Sequence, residues 1–264
     1  MALKAAPHFY NVSNLVAPGA KSVYIPKVGD NFSATAIGAT SGEVENTAVN
    51  DTATHVELNR WLGSKIRIMD FDFAKVAGSY DLKNEYALAM AQAVAQQADK
   101  ELLANISSVS RSVNDTTTAL LATDLEDAMA ITQSYYCPKE QLTWFFTPKC
   151  FWNEIMNISK YYNQYQFGKA VTPSGELNTL YGIPVVITNN LPLGGATKKI
   201  GFLGTPNSVA FAFANLSGGT SGGIRVTEAY HPGGHLRTDI TTDIAFGNTI
   251  MNAYHGVMID STGM

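Results

Sequence analysis

The segment Gly219-Thr-Ser221-Gly-Gly223 has the glycine spacing of a nucleophile elbow, the turn that presents the catalytic serine of many hydrolases. In that motif a strand precedes the serine and a helix follows it. Here a glycine-rich loop leads instead into the β-branched stretch Ile224-Arg-Val226, which is typical of a strand. Because the context fails and such short motifs are common by chance, we do not predict a catalytic role for Ser221.

A second group of residues carries the side chains that bind metal ions: His231, His235, Asp239 and His255. A proline and two glycines separate the first two histidines, which predicts a turn. Metal-binding pairs usually lie on a rigid helix or strand. We therefore favour a turn at His231 to His235 over a zinc site.

Two further groups have the right residue types for chemistry or recognition. Cys137 and Cys150 are the only cysteines and lie too far apart for a Cys-X-X-Cys clamp, so we expect each to pack as a small hydrophobic residue in a reducing compartment. The tyrosine-rich run at 161–167 could stack on bases or sugars, or could close a loop against neighbouring subunits. The chain contains no Walker loop, dinucleotide fingerprint or zincin motif. We predict no catalytic, cofactor-binding or metal-binding residue, and the sequence suggests a structural protein.

The element that would organise such a protein is a long helix predicted over Ser79 to Ile106. Its middle, residues 86–98, carries no charge, and it is rich in strong helix formers. Asp81 can accept hydrogen bonds from the first-turn amides, and the helix would span roughly 40 Å. The predicted apolar stripe consists of Leu82, Tyr86, Met90, Val94, Ala98 and Leu102. We expect so long and neutral a helix to need packing partners on several sides.

The rest of the chain mixes helices and strands without a regular βαβ rhythm, which favours an α+β fold. Before the long helix, Val56 to Leu58 and Lys65 to Ile68 predict the two strands of a long hairpin around a break at Gly63. After it, one helix is predicted from Asp124, as its cap, to about Tyr136, and another from Pro148 to about Ile158. Further strands are predicted at 142–146, 183–187, 199–203, 224–230, 235–246 and 248–259.

Composition limits the possible functions. The 264 residues suffice for a large core in one or two domains, and only 15% are charged, against about 25% in typical soluble domains. Such a neutral surface suits a subunit surrounded by other subunits, and suits a monomer with few charges equally well. The net charge is −4 and the longest basic run is Lys198-Lys199, which argues against tight nucleic-acid binding. We expect neither a membrane-spanning segment nor a signal peptide, because no apolar run is long enough.

Six segments, taken in chain order, carry a resemblance to a known family. They are Val56-Glu-Leu-Asn-Arg-Trp61, Lys65-Ile-Arg-Ile-Met-Asp-Phe-Asp72, Ala98-Asp99-Lys-Glu-Leu-Leu103, Thr143-Trp-Phe-Phe-Thr-Pro148, Leu180-Tyr-Gly-Ile-Pro-Val-Val-Ile-Thr-Asn-Asn190 and Gly201-Phe-Leu-Gly-Thr-Pro-Asn-Ser-Val209. This layout resembles the major capsid proteins of tailed double-stranded DNA phages, which have the Hong Kong-ninety-seven-type capsid fold. The resemblance covers nearly the whole chain, and its strength lies in the consistent order of the segments.

The resemblance implies a division into named regions. These are an N-terminal arm at 1–26, an extended loop at 27–75, a peripheral domain with the spine helix at 76–123, an axial domain at 124–219, and a return to the peripheral domain at 220–264. The arm and the extended loop would bind adjacent subunits. The tyrosine-rich loop of the axial domain would face the five- and six-fold axes.

The resemblance also implies a function and partners. Many copies would form pentamers and hexamers of an icosahedral virion shell, assembled in the host cytoplasm, that encloses double-stranded DNA without sequence-specific contact. A separate scaffolding protein, a portal and decoration proteins are implied partners, and no cofactor is. One relative seals its shell with Lys to Asn isopeptide bonds, but nothing singles out Lys27 or Lys65 for such a bond. An encapsulin-type enzyme compartment and a hydrolase stay open as alternatives.

Overall fold

The computed structural model describes residues 3–17, 19–27, 52–69, 82–113, 120–158, 179–192, 199–214, 216, 223–231 and 236–261. Its helices are α1 (Leu82–Ala104), α2 (Ala122–Ser134) and α3 (Pro148–Asn153). Its strands are β1 (Tyr10–Asn11), β2 (Ser22–Lys27), β3 (Thr52–Glu57), β4 (Arg60–Met69), β5 (Ser112–Val113), β6 (Thr143–Phe146), β7 (Thr179–Leu180), β8 (Ile183–Ile187), β9 (Lys199–Gly204), β10 (Val209–Phe213), β11 (Ile224–His231), β12 (Arg237–Ile250) and β13 (Gly256–Ser261). The predicted α+β class is confirmed.

Helix α1 lies where the sequence predicts it, and a 3-10 turn at Asn105–Ser108 continues it. The predicted stripe is buried at Met90, Val94, Ala98 and Leu102. Tyr86, by contrast, is exposed, while Asp81 and the side chain of Leu82 lie outside the described residues. The buried side of α1 packs on the apolar face of β12, including Ile244 and Phe246. Its opposite side is exposed, so the subunit itself covers only part of this helix.

Strand β12 is the centre of a five-stranded sheet, here called the first sheet. β4 pairs antiparallel with one edge of β12. β11 and β10 both pair antiparallel with the other edge, β11 with residues 237–244 and β10 with residues 246–250. β1 pairs parallel with β10. The prediction of two strands that separate between Phe246 and Asn248 is wrong, because β12 continues through Gly247. A Cβ at Gly247 would lie 1.9 Å from the carbonyl oxygen of Glu57. Glycine is needed here because another backbone segment touches the strand, and not because the strand ends.

The predicted hairpin is also wrong in its pairing. β3 pairs with β2 and not with β4, in a register that runs from Ser22 opposite Glu57 to Lys27 opposite Thr52. Gly63 is no break, since it lies inside β4 opposite Asp243. β4 joins the first sheet because its alternating apolar residues face α1, and β12 offers a long partner edge.

A second sheet has the strand order β5-β13-β9-β6-β8-β7, and all four residues of β6 are buried. Trp144 and Phe146 pack with α2 and α3 on one face, while Phe145 packs on the other face. The strands predicted around 142–146, 183–187 and 199–203 are confirmed. β13 pairs with β9 in this sheet, although the family resemblance implies that residues 220–264 belong to the peripheral domain.

The two shorter helices begin with hydrogen-bonded side chains. α2 begins at Ala122 and not at Asp124, whose carboxylate accepts a hydrogen bond from the Leu121 N–H at 2.8 Å. Asp124 therefore caps the helix from its third residue. α3 begins at Pro148 as predicted, and the Thr147 hydroxyl accepts a hydrogen bond from the Cys150 N–H at 3.3 Å. A 3-10 turn at Ile155–Asn157 continues it to the predicted end.

Candidate functional site

The residues weighed for catalysis and metal binding lie in different places. Ser221 and His235 fall outside the described residues. The segment after Ser221 is the strand β11, as the sequence predicts. His231 and Asp239 come together, with 3.6 Å between Nε2 and Oδ2, whereas His255 lies beside Thr205 in the second sheet, with 3.4 Å between Nδ1 and Oγ1.

Asp239 is surrounded by cations. Its buried carboxylate lies 2.7 Å from Lys65 Nζ, 3.2 Å from Arg67 Nε and 3.7 Å from Arg237 Nε. The hydrogen bond from Lys65, followed by that from Arg67, lowers the pKa of Asp239 below its usual range. Such a carboxylate joins β4 to β12 and is poorly placed to bind a metal ion. In the described part of the chain no group of three His, Cys, Asp or Glu residues could hold one.

Asp243 repeats this arrangement four residues further along β12, on the same face of the strand. It accepts hydrogen bonds from Arg225 on β11, at 2.9 and 2.6 Å, and from the indole N–H of Trp61 on β4, at 3.0 Å. The Arg225 hydrogen bond is the main reason that the pKa of Asp243 is lowered. Asp239 and Asp243 therefore connect the outer strands of the first sheet to its central strand.

Acid is expected to weaken these connections. The folded-state pKa of Asp243 is lower than in the unfolded chain, so its contribution to stability is present above its ordinary pKa of 3.8 and is lost as pH falls through the lowered value. Asp243→Asn should therefore be less stable than the natural subunit at neutral pH, and should lose less stability on acidification. Thermal unfolding of the unassembled subunit, between neutral pH and about pH 2, measures both. The control is Asp127→Asn, an exposed carboxylate on α2. An unchanged pH dependence in Asp243→Asn would contradict this expectation.

Three further groups were considered from the sequence: the two cysteines, the tyrosine-rich run and two lysines. Cys137 and Cys150 are buried in the core around the second sheet, which confirms that they pack as small hydrophobic residues, and burial raises the pKa of the Cys137 thiol. The tyrosine-rich run at 161–167 lies outside the described residues. Of the two lysines considered for cross-links, Lys27 ends β2 and Lys65 is an ion-pair partner of Asp239.

Asp99 forms a polar site that the sequence analysis did not single out. Its side chain is fully buried on α1. One carboxylate oxygen accepts hydrogen bonds from the backbone N–H groups of Ala5 at 3.0 Å and Ala6 at 3.3 Å, and the other accepts one from Asn190 Nδ2 at 3.0 Å. The available signal was an acidic residue directly after the uncharged run at 86–98, next to Ala98 of the predicted apolar stripe. Asp99 thus joins the N-terminal segment, the spine helix and the turn after β8.

The N-terminal segment is part of the subunit's own core over the residues that the structure describes. Ala5, Phe9 and Val12 are buried. The Phe9 ring stacks on Phe145 with 5.4 Å between centroids, and β1 pairs with β10. The expectation of an arm that binds adjacent subunits is therefore wrong for these buried residues. Ala5 and Phe9 pack between the two sheets, and Val12 packs against β10 and the β2–β3 ladder.

Several large side chains remain exposed on surfaces that contacts between subunits could cover. Tyr24 on β2 is 66% exposed, Trp61 on β4 is 71% exposed and Leu88 on α1 is 55% exposed. Interfaces are enriched in such aromatic residues and depleted of charge. The three residues lie on three different surfaces: Tyr24 on the β2–β3 ladder, Trp61 on the outer face of the first sheet, and Leu88 on the exposed side of α1.

Comparison with known proteins identifies the family. The sequence model of a family described as "Phage capsid protein" matches residues 30–261. The chain belongs to this family. The membership indicates a structural rather than a catalytic role for the capsid protein, and a location in the virion capsid. No curated protein sequence matches the chain, and none of the described helices is long and apolar enough to cross a membrane.

Solved capsid structures have the same fold. A structure of Mycobacterium phage Che8 has a TM-score of 0.72 at 18% identity, covering 95% of this chain and 91% of that chain. The capsid of the cyanophage P-SCSP1u has a TM-score of 0.75 at 16% identity, with 97% and 86% covered. The mature capsid of bacteriophage PhiM1 has a TM-score of 0.69 at 12% identity, with 96% and 85% covered. The resemblance to the Hong Kong-ninety-seven-type capsid fold is confirmed.

Proposed function

We propose that this capsid protein is the major capsid protein of a tailed phage. Many copies form the pentamers and hexamers of an icosahedral shell that encloses a double-stranded DNA genome. The observation that carries the proposal is the family match over residues 30–261, which the fold supports over nearly the whole chain. These matches are to phage capsids, so neither an encapsulin-type compartment nor a hydrolase is favoured.

Within this function we propose roles for the regions of the subunit. The first sheet and α1 form the peripheral domain, and the second sheet with α2 and α3 forms the axial domain, which faces the symmetry axes. The boundaries proposed from the sequence differ from this division for β4, β5, β10 and β13. β5 and β13 belong to the second sheet, β10 within 124–219 belongs to the first sheet, and β4 of the first sheet lies within the proposed extended loop at 27–75. The extended loop leaves the β2–β3 ladder and lies across a neighbouring subunit.

The surface of the subunit supports an obligate assembly. Obligate interfaces commonly bury about 2,000 to 5,000 Å² and are more apolar than transient ones. Helix α1 carries no charge over residues 86–98, and Trp61 and Tyr24 are exposed. Both observations fit a contact of that kind. The net charge of −4 suits a container whose genome must leave again, because strongly basic walls would retain it.

The partners follow from the same proposal. The proposed partners of the shell, which assembles in the host cytoplasm, are a portal, decoration or cement proteins and, where assembly requires one, a separate scaffolding protein. The DNA is held without sequence-specific contact. Copurification of these proteins with shells, rather than of an enzyme cargo, would support the proposal against an encapsulin-type compartment.

Removal of residues 28–51, the part of the extended loop between β2 and β3, is the direct test of assembly. Lys27 and Thr52 are paired neighbours, so a two-residue Asn-Gly turn can replace residues 28–51 and close the β2–β3 ladder. The shortened subunit should fold with a circular dichroism spectrum and an unfolding transition close to those of the natural subunit, but should form no closed shells in negative-stain electron microscopy. Because β3 begins at Thr52, the deletion must stop before that residue. Intact shells from the shortened subunit would contradict the proposed role of the loop.

A further inference from the structure

Tyr136 directly follows Tyr135, the residue that caps the end of helix α2. Its backbone lies in the left-handed region, with φ at 58°, and its side chain is 94% exposed. Its N–H donates to the carbonyl of Gln133 at 2.9 Å, and the N–H of Cys137 donates to the carbonyl of Thr132 at 3.3 Å. These two hydrogen bonds form a Schellman motif, in which the left-handed position is usually glycine because a side chain there is strained. The helix end by itself would therefore favour glycine where the sequence has tyrosine.

A comparison with Tyr181 shows that the ring of Tyr136 is not used within the subunit. Among the described residues Tyr181 is the other non-glycine residue with a positive φ, at 55°. Its hydroxyl donates a hydrogen bond to the Glu126 carboxylate at 2.8 Å, so its side chain stabilises the fold. The Tyr136 side chain has no hydrogen bond or ring contact within the described part of the chain. A strained backbone that presents an exposed aromatic ring points to a function outside the subunit, and contact with a partner would explain both observations.

The residue before Tyr136 belongs to a cluster of two aromatic rings and a cation. The rings of Tyr135 and Tyr254 stack, with 5.0 Å between centroids and 19° between their planes. The guanidinium carbon of Arg111 lies 5.4 Å from the Tyr135 centroid and 5.7 Å from the Tyr254 centroid, and Arg111 also donates a hydrogen bond to the Tyr135 hydroxyl. Tyrosine and arginine are among the residues that contribute most to binding at protein interfaces. We call Arg111, Tyr135, Tyr136 and Tyr254 the tyrosine–arginine patch.

The patch is assembled from three segments that the fold holds in place. Arg111 precedes β5, Tyr135 caps α2, and Tyr254 lies between β12 and β13. The carbonyl of Arg111 accepts a hydrogen bond from the Met258 N–H at 2.9 Å, and the Tyr254 N–H donates to Asn252 Oδ1 at 3.1 Å. Contact with both rings also restricts the guanidinium. A partner would meet groups that are already ordered, which lowers the entropic cost of binding.

Arg111 determines which charge the partner should carry. Its side chain is exposed and forms no ion pair with a carboxylate among the described residues. A guanidinium has five N–H donors, and the hydrogen bond to Tyr135 occupies one of them. The remaining donors can bind a carboxylate through two parallel hydrogen bonds. Charge complementarity therefore favours a partner that brings an acidic side chain to Arg111.

The size of the patch favours a short segment over a broad protein surface. An interface of standard size takes about 20–30 residues from each side. The patch has four members, and the exposed residues near them in the sequence are polar: Ser112, Gln133, Ser134, Lys139 and Glu140. A peptide segment of a few residues can cover such a surface. Nucleic acid fits less well, because the single arginine of the patch would neutralise few phosphates.

We propose that the tyrosine–arginine patch binds a short extended segment of a separate protein, with a carboxylate of the segment at Arg111 and an apolar side chain against Tyr136. Tyr254, which is 48% exposed, extends the apolar surface beside the cation. This docking site goes beyond the proposed function and does not depend on shell formation, because binding can be measured on the unassembled subunit.

Selection from a displayed library of random peptides tests the site. The probe is the library itself, selected on the natural subunit after depletion on the Tyr136→Gly subunit. Enriched peptides should contain Asp or Glu, and their affinity, measured by fluorescence polarisation, should fall about tenfold or more in Tyr136→Gly and in Arg111→Gln. The control is Tyr10→Ser, an exposed tyrosine on β1, which should bind the peptides as the natural subunit does.

Thermal unfolding separates binding from a role in the fold. Tyr136→Gly should unfold at the same temperature as the natural subunit or at a higher one, because glycine suits the left-handed position. A lower unfolding temperature would show that Tyr136 serves the fold, and would overturn the proposal. Failure to enrich any peptide would overturn it too, as would enriched peptides that lack an acidic residue or bind Tyr136→Gly equally well.

Tyrosine iodination read by mass spectrometry distinguishes a separate partner from a second copy of this chain. In shells made of this chain alone, Tyr136 and Tyr254 should be modified as fast as in the unassembled subunit, and addition of a selected peptide should largely abolish the modification. Protection of both tyrosines in shells without peptide would show that a neighbouring copy covers the patch, and would overturn the proposal. If the natural protein forms no shells, the proposed function fails, whereas the peptide selection still decides this inference.

Discussion

Replacing Asp99 with Leu should lower the free energy of unfolding of the subunit by about 2–5 kcal/mol, because two buried backbone donors lose their acceptor. These donors are the N–H groups of Ala5 and Ala6, two buried residues. The side chain of Asn190 loses its acceptor as well. Denaturant unfolding of the unassembled subunit measures the effect. Limited proteolysis should also show faster cleavage near the N-terminus, since the segment is held through Asp99.

An exchange of side chains separates the hydrogen bonds from simple packing. In Asp99→Asn the new Nδ2 would face Nδ2 of Asn190, so the Asn190 amide must turn over before its oxygen can accept a hydrogen bond. In Asp99→Asn/Asn190→Asp the residue at 99 can still accept from Ala5 and Ala6, and its amide can donate to the carboxylate at 190. The double variant should therefore be more stable than Asp99→Asn alone by about 1 kcal/mol. A double variant that is no more stable than the single one would show that these hydrogen bonds do not stabilise the N-terminal segment.

Gly247→Ala should have an effect of similar size for a steric reason. The added Cβ would lie 1.9 Å from the carbonyl oxygen and 2.6 Å from the carbonyl carbon of Glu57, and a backbone group cannot rotate away as a side chain can. The chain between β3 and β4 must then move off β12, with an expected loss of about 3 kcal/mol or more. Thermal unfolding of the unassembled subunit measures the loss. Electron microscopy should also show fewer shells, because the base of the extended loop is displaced.

Gly63→Ala is the matched control for this substitution. Gly63 lies in β4, in the same sheet, and an added Cβ would meet Asp243 and Thr242 only at 3.5 Å, an ordinary contact distance. Alanine at this position should be neutral or should stabilise the subunit by about 0.5 kcal/mol, because it restricts the unfolded chain. Equal losses of unfolding free energy in Gly63→Ala and Gly247→Ala would indicate that neither strand tolerates a side chain at its glycine. That result would contradict the proposed backbone contact at Gly247.

The two sites have a common consequence for assembly. Asp99 holds the N-terminal segment between the sheets, and Gly247 admits the backbone that leads into the β2–β3 ladder. Both contacts lie inside one subunit, yet they set the position from which the extended loop leaves. A shell of repeated subunits requires that position to be the same in each copy, so changes at either site should disturb assembly as well as stability.

The long helix, the buried strand β6 and the helix at Pro148 could be predicted from the sequence because their signals are local. Strong helix formers, a continuous apolar run and a proline at a helix start act within a few residues of each other. The residue order that carries the family resemblance is also a property of the sequence. The strand that follows Ser221 could also be predicted from its β-branched residues.

Strand partners, and the roles of Gly63, Gly247 and Asp99, were decided only by the tertiary structure. A glycine in a strand pattern can mark a break, a close backbone approach or neither, and the sequence does not say which segment approaches. The ends of β3 and β4 look like one hairpin in sequence, but each strand finds a longer or better matched partner elsewhere, in β2 and β12. Asp99 acquires its function from backbone groups more than 90 residues away. Local order in this protein follows from neighbouring residues, whereas its contacts depend on which distant surfaces meet, and that is a property of the folded chain alone.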